Sequence, residues 1–229
     1  MIHKNVDIKL SVIRSARIDS DCMSVYFVRP IGFEYEAGDW IDINFSGKRP
    51  SGGITYSLSS SPTESELAIT FKRGISPFKK ALQGLQPGNE MYISQYGNDY
   101  NFHLKENRTS VLIAGGIGIA PFRSMIKEMF DTKNKNEALL IYLNKGVSFV
   151  FSDEIRFWNQ QLPNLSVRYI TTEELNRKKR EKLLIDTVKN SADYYYIAGP
   201  ETMVESTEHL LIDTGIEPRY IRIDSFGGY

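Results

Sequence analysis

The sequence predicts two domains in tandem, an antiparallel β-barrel followed by an α/β domain built on a parallel sheet. Three observations lead there. From Val6 to about Tyr96 the chain carries short β-rich segments at regular spacing with turn clusters between them, the rhythm of a small barrel or sandwich. After the polar stretch Lys105-Glu106-Asn107-Arg108 the rhythm changes to alternating strands and helices, which implies a parallel sheet covered on both faces. A length of 229 residues accommodates two domains of about 110 each. The expected division is 1–107 and 108–229.

The barrel strands are expected at Ile8–Ser15, Ser24–Arg29, Trp40–Phe45, Thr55–Ser59, Leu67–Lys72 and Glu90–Ser94. Pro30-Ile31-Gly32, Ser46-Gly47-Lys48 and Ser60-Ser61-Pro62 turn the chain between them. One helix interrupts, Pro77 to Gln83, stopped by Gly84. In the second half, strands are expected at Ser110–Ala114, Ala138–Leu143, Ser166–Ile170, Asp193–Ala198 and Tyr220–Ile223. The helices between them are Pro121–Phe130, Ser152–Gln161, Lys179–Val188 and Glu201–Asp213.

Composition narrows the chemistry. Lysine plus arginine equal aspartate plus glutamate at 28 each, so no global field draws the chain to nucleic acid or a membrane surface. A single cysteine, Cys22, rules out an internal disulfide and four-cysteine metal or iron–sulfur ligation. It reads as a buried free thiol. His3, His103 and His209 form no ligand cluster, and no metal site is expected. The longest nearly apolar run, Val111 to Phe122, is well short of the roughly 20 residues a bilayer span needs. A soluble, cytoplasmic protein is the expectation.

Four segments carry candidate chemistry. Ala114-Gly115-Gly116-Ile117-Gly118-Ile119-Ala120-Pro121 follows a strand and opens a helix, the context of a dinucleotide-binding turn. Its glycines let backbone approach a pyrophosphate, and Pro121 suits a first helical turn, where no N–H is needed. The next strand ends in Asn144 and Lys145, without the acidic residue of the usual fingerprint. Tyr196-Ile197-Ala198-Gly199-Pro200-Glu201-Thr202-Met203 repeats the strand–turn–helix pattern, again at a C-terminal strand end. In the barrel, Ile54-Thr55-Tyr56-Ser57-Leu58-Ser59 places an aromatic ring and alternate hydroxyls where a flat cofactor could lie; alone it also reads as a strand entering a serine-rich turn. Phe71-Lys72-Arg73-Gly74-Ile75-Ser76-Pro77 ends in an N-cap serine and a first-turn proline, an arrangement suited to an anion. Lys79 and Lys80 have the wrong sign for the helix dipole unless an anion compensates; two solvated lysines are the other reading.

In this order these residues resemble the ferredoxin–NADP+ reductase-like flavoenzymes, over nearly the whole chain. Tyr56-Ser57-Leu58-Ser59 is similar to the family's flavin motif, Gly74-Ile75-Ser76 to its pyrophosphate motif and Gly115–Pro121 to its nucleotide loop. Gly199-Pro200-Glu201-Thr202-Met203 is similar to the segment beside the nicotinamide, and Asp224–Tyr229 to the aromatic tail. The resemblance implies bound FAD, with FMN the lesser alternative, and NAD(P)H as hydride donor. It implies that Tyr56 lies near the isoalloxazine and that Ser57 hydrogen-bonds close to N5. Phe71, Lys72, Gly74, Ile75 and Ser76 would hold the flavin phosphates, and residues Gly97 to Tyr100 would flank the ring. Gly115, Gly116, Ile117, Gly118, Pro121, Gly199, Pro200 and Met203 would meet the nucleotide, while Phe226 and Tyr229 would cover the flavin face that the nicotinamide uses.

Two positions depart from the family. Ile54 stands where an arginine usually pairs with a flavin phosphate, leaving Ser76 and Arg49, Lys72 or Lys79 to meet that charge. Ala198 stands where a cysteine often lies near the nicotinamide. Arg177-Lys178-Lys179-Arg180 would suit a 2′-phosphate, or is a solvated helix face, and Thr171-Thr172-Glu173-Glu174 replaces a Ser-Arg pair frequent in NADPH users. The leading expectation is a reductase passing electrons to a separate carrier: ferredoxin, flavodoxin or an oxygenase component. A reductase of a quinone or free flavin, and a non-catalytic nucleotide-binding regulatory module, are the alternatives.

Overall fold

The structure is a computed structural model that describes residues 2–45, 54–188 and 192–227. The described residues within Met1–His103 and Ala120–Glu128 form one compact unit, and those within Leu104–Ile119 and Met129–Gly228 form the other.

The first unit is a six-stranded antiparallel sheet, in the order β4-β3-β6-β1-β2-β5. Its strands are β1 (Ile2–Arg17), β2 (Cys22–Val28), β3 (Trp40–Asn44), β4 (Ile54–Ser57), β5 (Glu66–Lys72) and β6 (Glu90–Asn98). The period-2 pattern turns Ile41 and Ile43, Leu67, Ile69 and Phe71, and Met91 and Ile93 into one buried cluster with Leu10, Val25 and Phe27. A bridge between Leu58 and Ile69 joins the end of β4 to β5 and nearly closes the barrel. The seam therefore falls on the Tyr56–Ser59 motif.

Two strands outrun their expected lengths by several residues. β1 pairs with β6 from Ile2↔Asn98 to Ser11↔Glu90 and with β2 from Val12↔Phe27 to Arg17↔Met23. Irregularities at Asn5/Ile8 and Val12/Arg14 break its alternation, which hides a strand of 16 residues from a period-2 reading. β6 runs on to Asn98 because β1 and β3 both pair with its second half. Helix α1 (Pro77–Gln83) has the expected bounds and the expected Ser76 cap.

The second unit is a five-stranded parallel sheet, in the order β11-β10-β7-β8-β9. Its strands are β7 (Ser110–Gly115), β8 (Ala138–Asn144), β9 (Leu165–Thr171), β10 (Tyr194–Pro200) and β11 (Ile221–Phe226). Helices α2 (Ile119–Thr132), α3 (Ser152–Gln161), α4 (Arg177–Val188) and α5 (Glu201–Asp213) alternate with them in sequence, residues 120–128 of α2 being counted with the first unit. β7 is buried at every position, as a strand covered on both faces must be. From β7 the chain steps outward to β8 and β9, then returns to lay β10 and β11 on the other side. The order thus reverses between β7 and β10, and in open α/β sheets ligands bind at the C-terminal strand ends of such a reversal.

α2 begins at Ile119, two residues before its expected start, after a 3-10 turn over Gly116–Gly118. Pro121 still falls in its first turn, where the backbone N–H has no helical partner. α4 also starts two residues early, because Asn176 Oδ1 accepts the Lys179 N–H at 2.9 Å and caps it. Among the described residues, no helix is long and apolar enough to cross a membrane.

Candidate functional site

The two glycine turns of the second unit meet at the β7–β10 reversal. Ala114 and Ala198 are register partners on neighbouring parallel strands, so the turns leave the sheet side by side. Gly116 takes φ +56°, in the left-handed region that favours glycine. Gly118 is required for another reason: a Cβ there would overlap the Ala198 carbonyl and stand 2.7 Å from the Gly199 amide nitrogen. A Cβ on Gly199 would stand 3.2 Å from Gly115 Cα, and one on Gly115 would stand 3.1 Å from Met203 Sδ. Gly115, Gly118, Gly199 and Met203 thus pack as one cluster, and Gly116 stands half-buried at its rim. Ile117 is half-buried between the turn's glycines, and Pro200 ends β10 at the surface beside Phe226, its register partner on β11. Such exposed backbone at a strand–helix junction fits a nucleotide diphosphate.

The absent acidic fingerprint residue has a local explanation. Asn144 Nδ2 donates to the carbonyls of Gly146 and Ser148, at 3.3 and 2.5 Å, and its own carbonyl accepts from the Thr172 N–H and hydroxyl. It therefore organises the loop after β8, with Oδ1 3.8 Å from where a Gly116 Cβ would stand. The side chain of Ala198 is fully buried in the sheet between Ala114 and Asp224. Arg177 is paired with Glu181 at 2.6 Å, and Lys178 and Lys179 are exposed on α4.

In the first unit, Tyr56 is half-buried on β4, its ring 6.0 Å from that of Phe71 at 65°. Ser57 is buried, and the Leu58 N–H donates to the Asp39 carbonyl at 2.9 Å. Ser59 and Ser60 serve the barrel itself. Ser59 Oγ donates to the Ala68 carbonyl at 3.1 Å and accepts from Thr70 Oγ1 at 2.9 Å; Ser60 Oγ accepts the Ala68 N–H at 2.9 Å. Tyr35 Oη lies 3.0 Å from Ser60 Oγ, and burial pushes this phenol up to about 12. The dense hydroxyl set thus divides: Tyr56 and Ser57 precede the seam, and the later serines hold it.

The segment after β5 presents a cationic anion cradle. Ser76 caps α1, its Oγ accepting the Lys79 N–H at 3.3 Å, with Pro77 in the first turn and no acidic residue there. Lys79 folds back so that its Cδ stands 2.6 Å from where a Gly74 Cβ would be. Gln83 Nε2 ties the Gly74 carbonyl at 2.7 Å, and Gln83 Oε1 accepts from Arg73 Nε at 3.0 Å. Lys72 and Ile75 are exposed beside this cradle, whereas Phe71 is buried beneath it. This donor set matches the charge of a flavin diphosphate. Arg49 and Tyr229 lie outside the described residues.

Gly97 and Asn98 line a cavity of about 330 Å³ with Tyr35, Asp39, Tyr96 and His103. Asn98 Nδ2 donates to the Gly38 carbonyl at 3.1 Å and its Oδ1 accepts the Phe102 N–H, whereas Tyr100 is exposed with φ +56°. Among the described residues, no group of three His, Cys, Asp or Glu could hold a metal ion.

Several residues around these motifs escaped sequence reading: Asp39, Arg123, Ser124 and Glu64. Arg123 carried the one usable signal, a charge among the apolar residues Phe122, Met125 and Ile126 of α2, all fully buried. Such a charge implies a fixed partner.

Residues 112–209 match the oxidoreductase NAD-binding domain family. Among curated proteins, dual oxidase 2 of Sus scrofa is 28% identical over 53% of this chain, which spans only 8% of that relative. The γ subunit of sulfhydrogenase 2 from Pyrococcus furiosus is 26% identical over 81% of this chain and 70% of its own. Among solved structures, the ferredoxin–NADP+ reductase of Plasmodium falciparum superposes with a TM-score of 0.79 over 96% of both chains, at 15% identity. The chain thus carries an oxidoreductase NAD-binding domain match over residues 112–209 and shares its fold, a barrel followed by a parallel-sheet domain, with the ferredoxin–NADP+ reductase of Plasmodium falciparum.

Proposed function

We propose that this chain is a flavin-dependent reductase that moves hydride between NAD(P)H and FAD and passes the electrons to a separate acceptor, a ferredoxin, a flavodoxin or an oxygenase component. The observation that carries this reading is the cluster Gly115, Gly118, Gly199 and Met203 at the β7–β10 reversal, with Gly116 at its rim in the left-handed region. Bound flavin would supply the redox chemistry; the protein supplies position and electrostatics. Gly115, Gly116, Ile117, Gly118 and Pro121 receive the nucleotide diphosphate, and Gly199, Pro200 and Met203 border its nicotinamide end. Tyr56 would lie against the isoalloxazine, with Ser57 beside it on β4 and Leu58 and Ser59 in the residues that follow. The Ser57 hydroxyl would donate near N5. Ser76, Gly74, Ile75, Lys72 and Lys79 would hold the diphosphate of FAD in place of the arginine that Ile54 does not provide. Phe226, at the end of β11, would supply an aromatic ring for the flavin face.

The test is reconstitution with FAD followed by anaerobic mixing with NADH and with NADPH. Bleaching of the flavin band is expected with at least one of them, and ferricyanide should then be reduced. A protein that binds neither FAD nor FMN, or whose bound flavin neither nucleotide bleaches, would overturn the reading.

A further inference from the structure

In the second turn of α2, Arg123 and Ser124 grip the turn that follows the Tyr56–Leu58 strand. Arg123 Nη1 donates to the Ser59 carbonyl at 2.8 Å and to Glu64 Oε2 at 2.7 Å, and Nη2 donates to Glu64 Oε1 at 3.1 Å. Ser124 Oγ donates to the next carbonyl, that of Ser60, at 2.7 Å. Arg123 is 8% exposed and Ser124 is fully buried. Glu64 in turn accepts the Ser61 N–H at 2.7 Å, so the guanidinium, the carboxylate and the turn close on one another.

The turn also has partners besides this grip. Ala68 already bonds Ser59 and Ser60, and Arg29 Nη1 donates to the Pro62 carbonyl at 2.6 Å, all from within the barrel. What Arg123 adds is a clasp between that turn and the 120–128 stretch of α2, both within the first unit. Only a planar guanidinium can hold two carboxylate oxygens and a carbonyl together; a lysine ammonium has neither the fork nor the span.

We propose that Arg123, seconded by Ser124 and oriented by Glu64, is a positioning residue. It holds the exit of β4, and with it Tyr56 and Ser57, in the position these residues need beside a flavin that accepts hydride. This rests on the proposed reductase function. Transfer needs donor and acceptor atoms about 3–3.5 Å apart, and a misplacement of about 1 Å from a remote change can cost about 100-fold in rate. A loosened grip should therefore reduce the transfer step while leaving both ligands bound.

The test compares Arg123→Lys, Glu64→Gln and Ser124→Ala with the unaltered, FAD-reconstituted protein. Three quantities are read: the dissociation constants for FAD and for NAD(P)+, the limiting rate of flavin reduction at saturating NAD(P)H, and amide hydrogen exchange over residues 56–64. The expected result is affinities within about threefold, a limiting rate lower by about 10- to 100-fold in Arg123→Lys, and faster exchange in the turn. Arg123→Lys with Glu64→Gln should lose little more than Arg123→Lys alone, since both remove one clasp. Should Arg123→Lys not fold, the milder Ser124→Ala and Glu64→Gln decide, with smaller losses of the same kind. An unchanged limiting rate in folded variants, or a loss due wholly to released flavin, would overturn the proposal and leave the reductase reading intact. Failure of the unaltered protein to reduce its flavin would sink both.

Discussion

Gly118 lies directly beneath the Ala198 carbonyl, so close that no side chain fits between the end of β10 and the glycine turn. Gly116, two residues earlier, has its nearest obstacle 3.8 Å away and is glycine because of its positive φ.

Replacing each by alanine separates packing from backbone strain. Gly118→Ala must push β10 and the turn apart, at about 1–3 kcal/mol or more of stability. Gly116→Ala meets only the left-handed backbone penalty, about 1–2 kcal/mol. Urea denaturation should rank Gly118→Ala as the more damaging, and NAD(P)+ titration should find its affinity the weaker. The reverse order in both measurements would refute this account of the turn.

Ser76 has two separable duties. As the α1 cap, Ser76→Ala should cost about 0.5–2 kcal/mol of stability in the flavin-free protein. As part of the diphosphate cradle, its loss together with Lys79→Glu should weaken FAD retention by a few kcal/mol at most, about the value of lost charge-assisted hydrogen bonds. Unaltered FAD affinity in the double variant would remove the cradle from the flavin site, whatever happens to stability.

Asp42 on β3 offers a pH test. Burial raises its carboxyl above the ordinary 3.8, partly offset by the Ser94 hydroxyl on Oδ2. The native state thus holds this proton more tightly than the unfolded chain. Its contribution to stability is greatest below the ordinary carboxylate range, falls as pH rises through the raised value, and stays unfavourable above it. Asp42→Asn should accordingly be as stable as the parent or more so at pH 7, with the difference shrinking toward pH 3. A variant clearly less stable at pH 7 would contradict that sign.

Cys22 is buried, and desolvation followed by the Asp19 carboxylate pushes its thiol up to about 12. It should remain a thiol through the neutral range and resist a thiolate-selective reagent such as dithionitrobenzoate until the protein unfolds. Rapid labelling of the folded protein at pH 8 would show the opposite environment.

Much of the candidate site could be read in one dimension because its parts are local. Ser76 and Pro77 cap a helix beside them, and Gly115–Gly118 turn a strand into the helix that follows. Strand and helix bounds were legible wherever one periodicity ran unbroken. β1 was not, because its bulges shift the inward face twice while the strand changes partner from β6 to β2. The serines after Leu58 were equally ambiguous: hydroxyls that suit a cofactor also suit the backbone of Ala68, which approaches only when the barrel closes.

What the sequence determined by itself was the alternation of apolar residues, the glycines and the caps, since each acts through neighbours a few residues away. From these came the barrel, the parallel sheet and the two turns. Only the tertiary structure decided that β10 returns beside β7, so that turns about eighty residues apart in sequence share one edge. It also decided that Leu58 meets Ile69 and that Arg123 finds Glu64 and the Ser59 carbonyl. These are contacts of large sequence separation. They form only when burial of the whole core offsets the entropy of closing the loops between them, and no local pattern encodes which partner each group will meet.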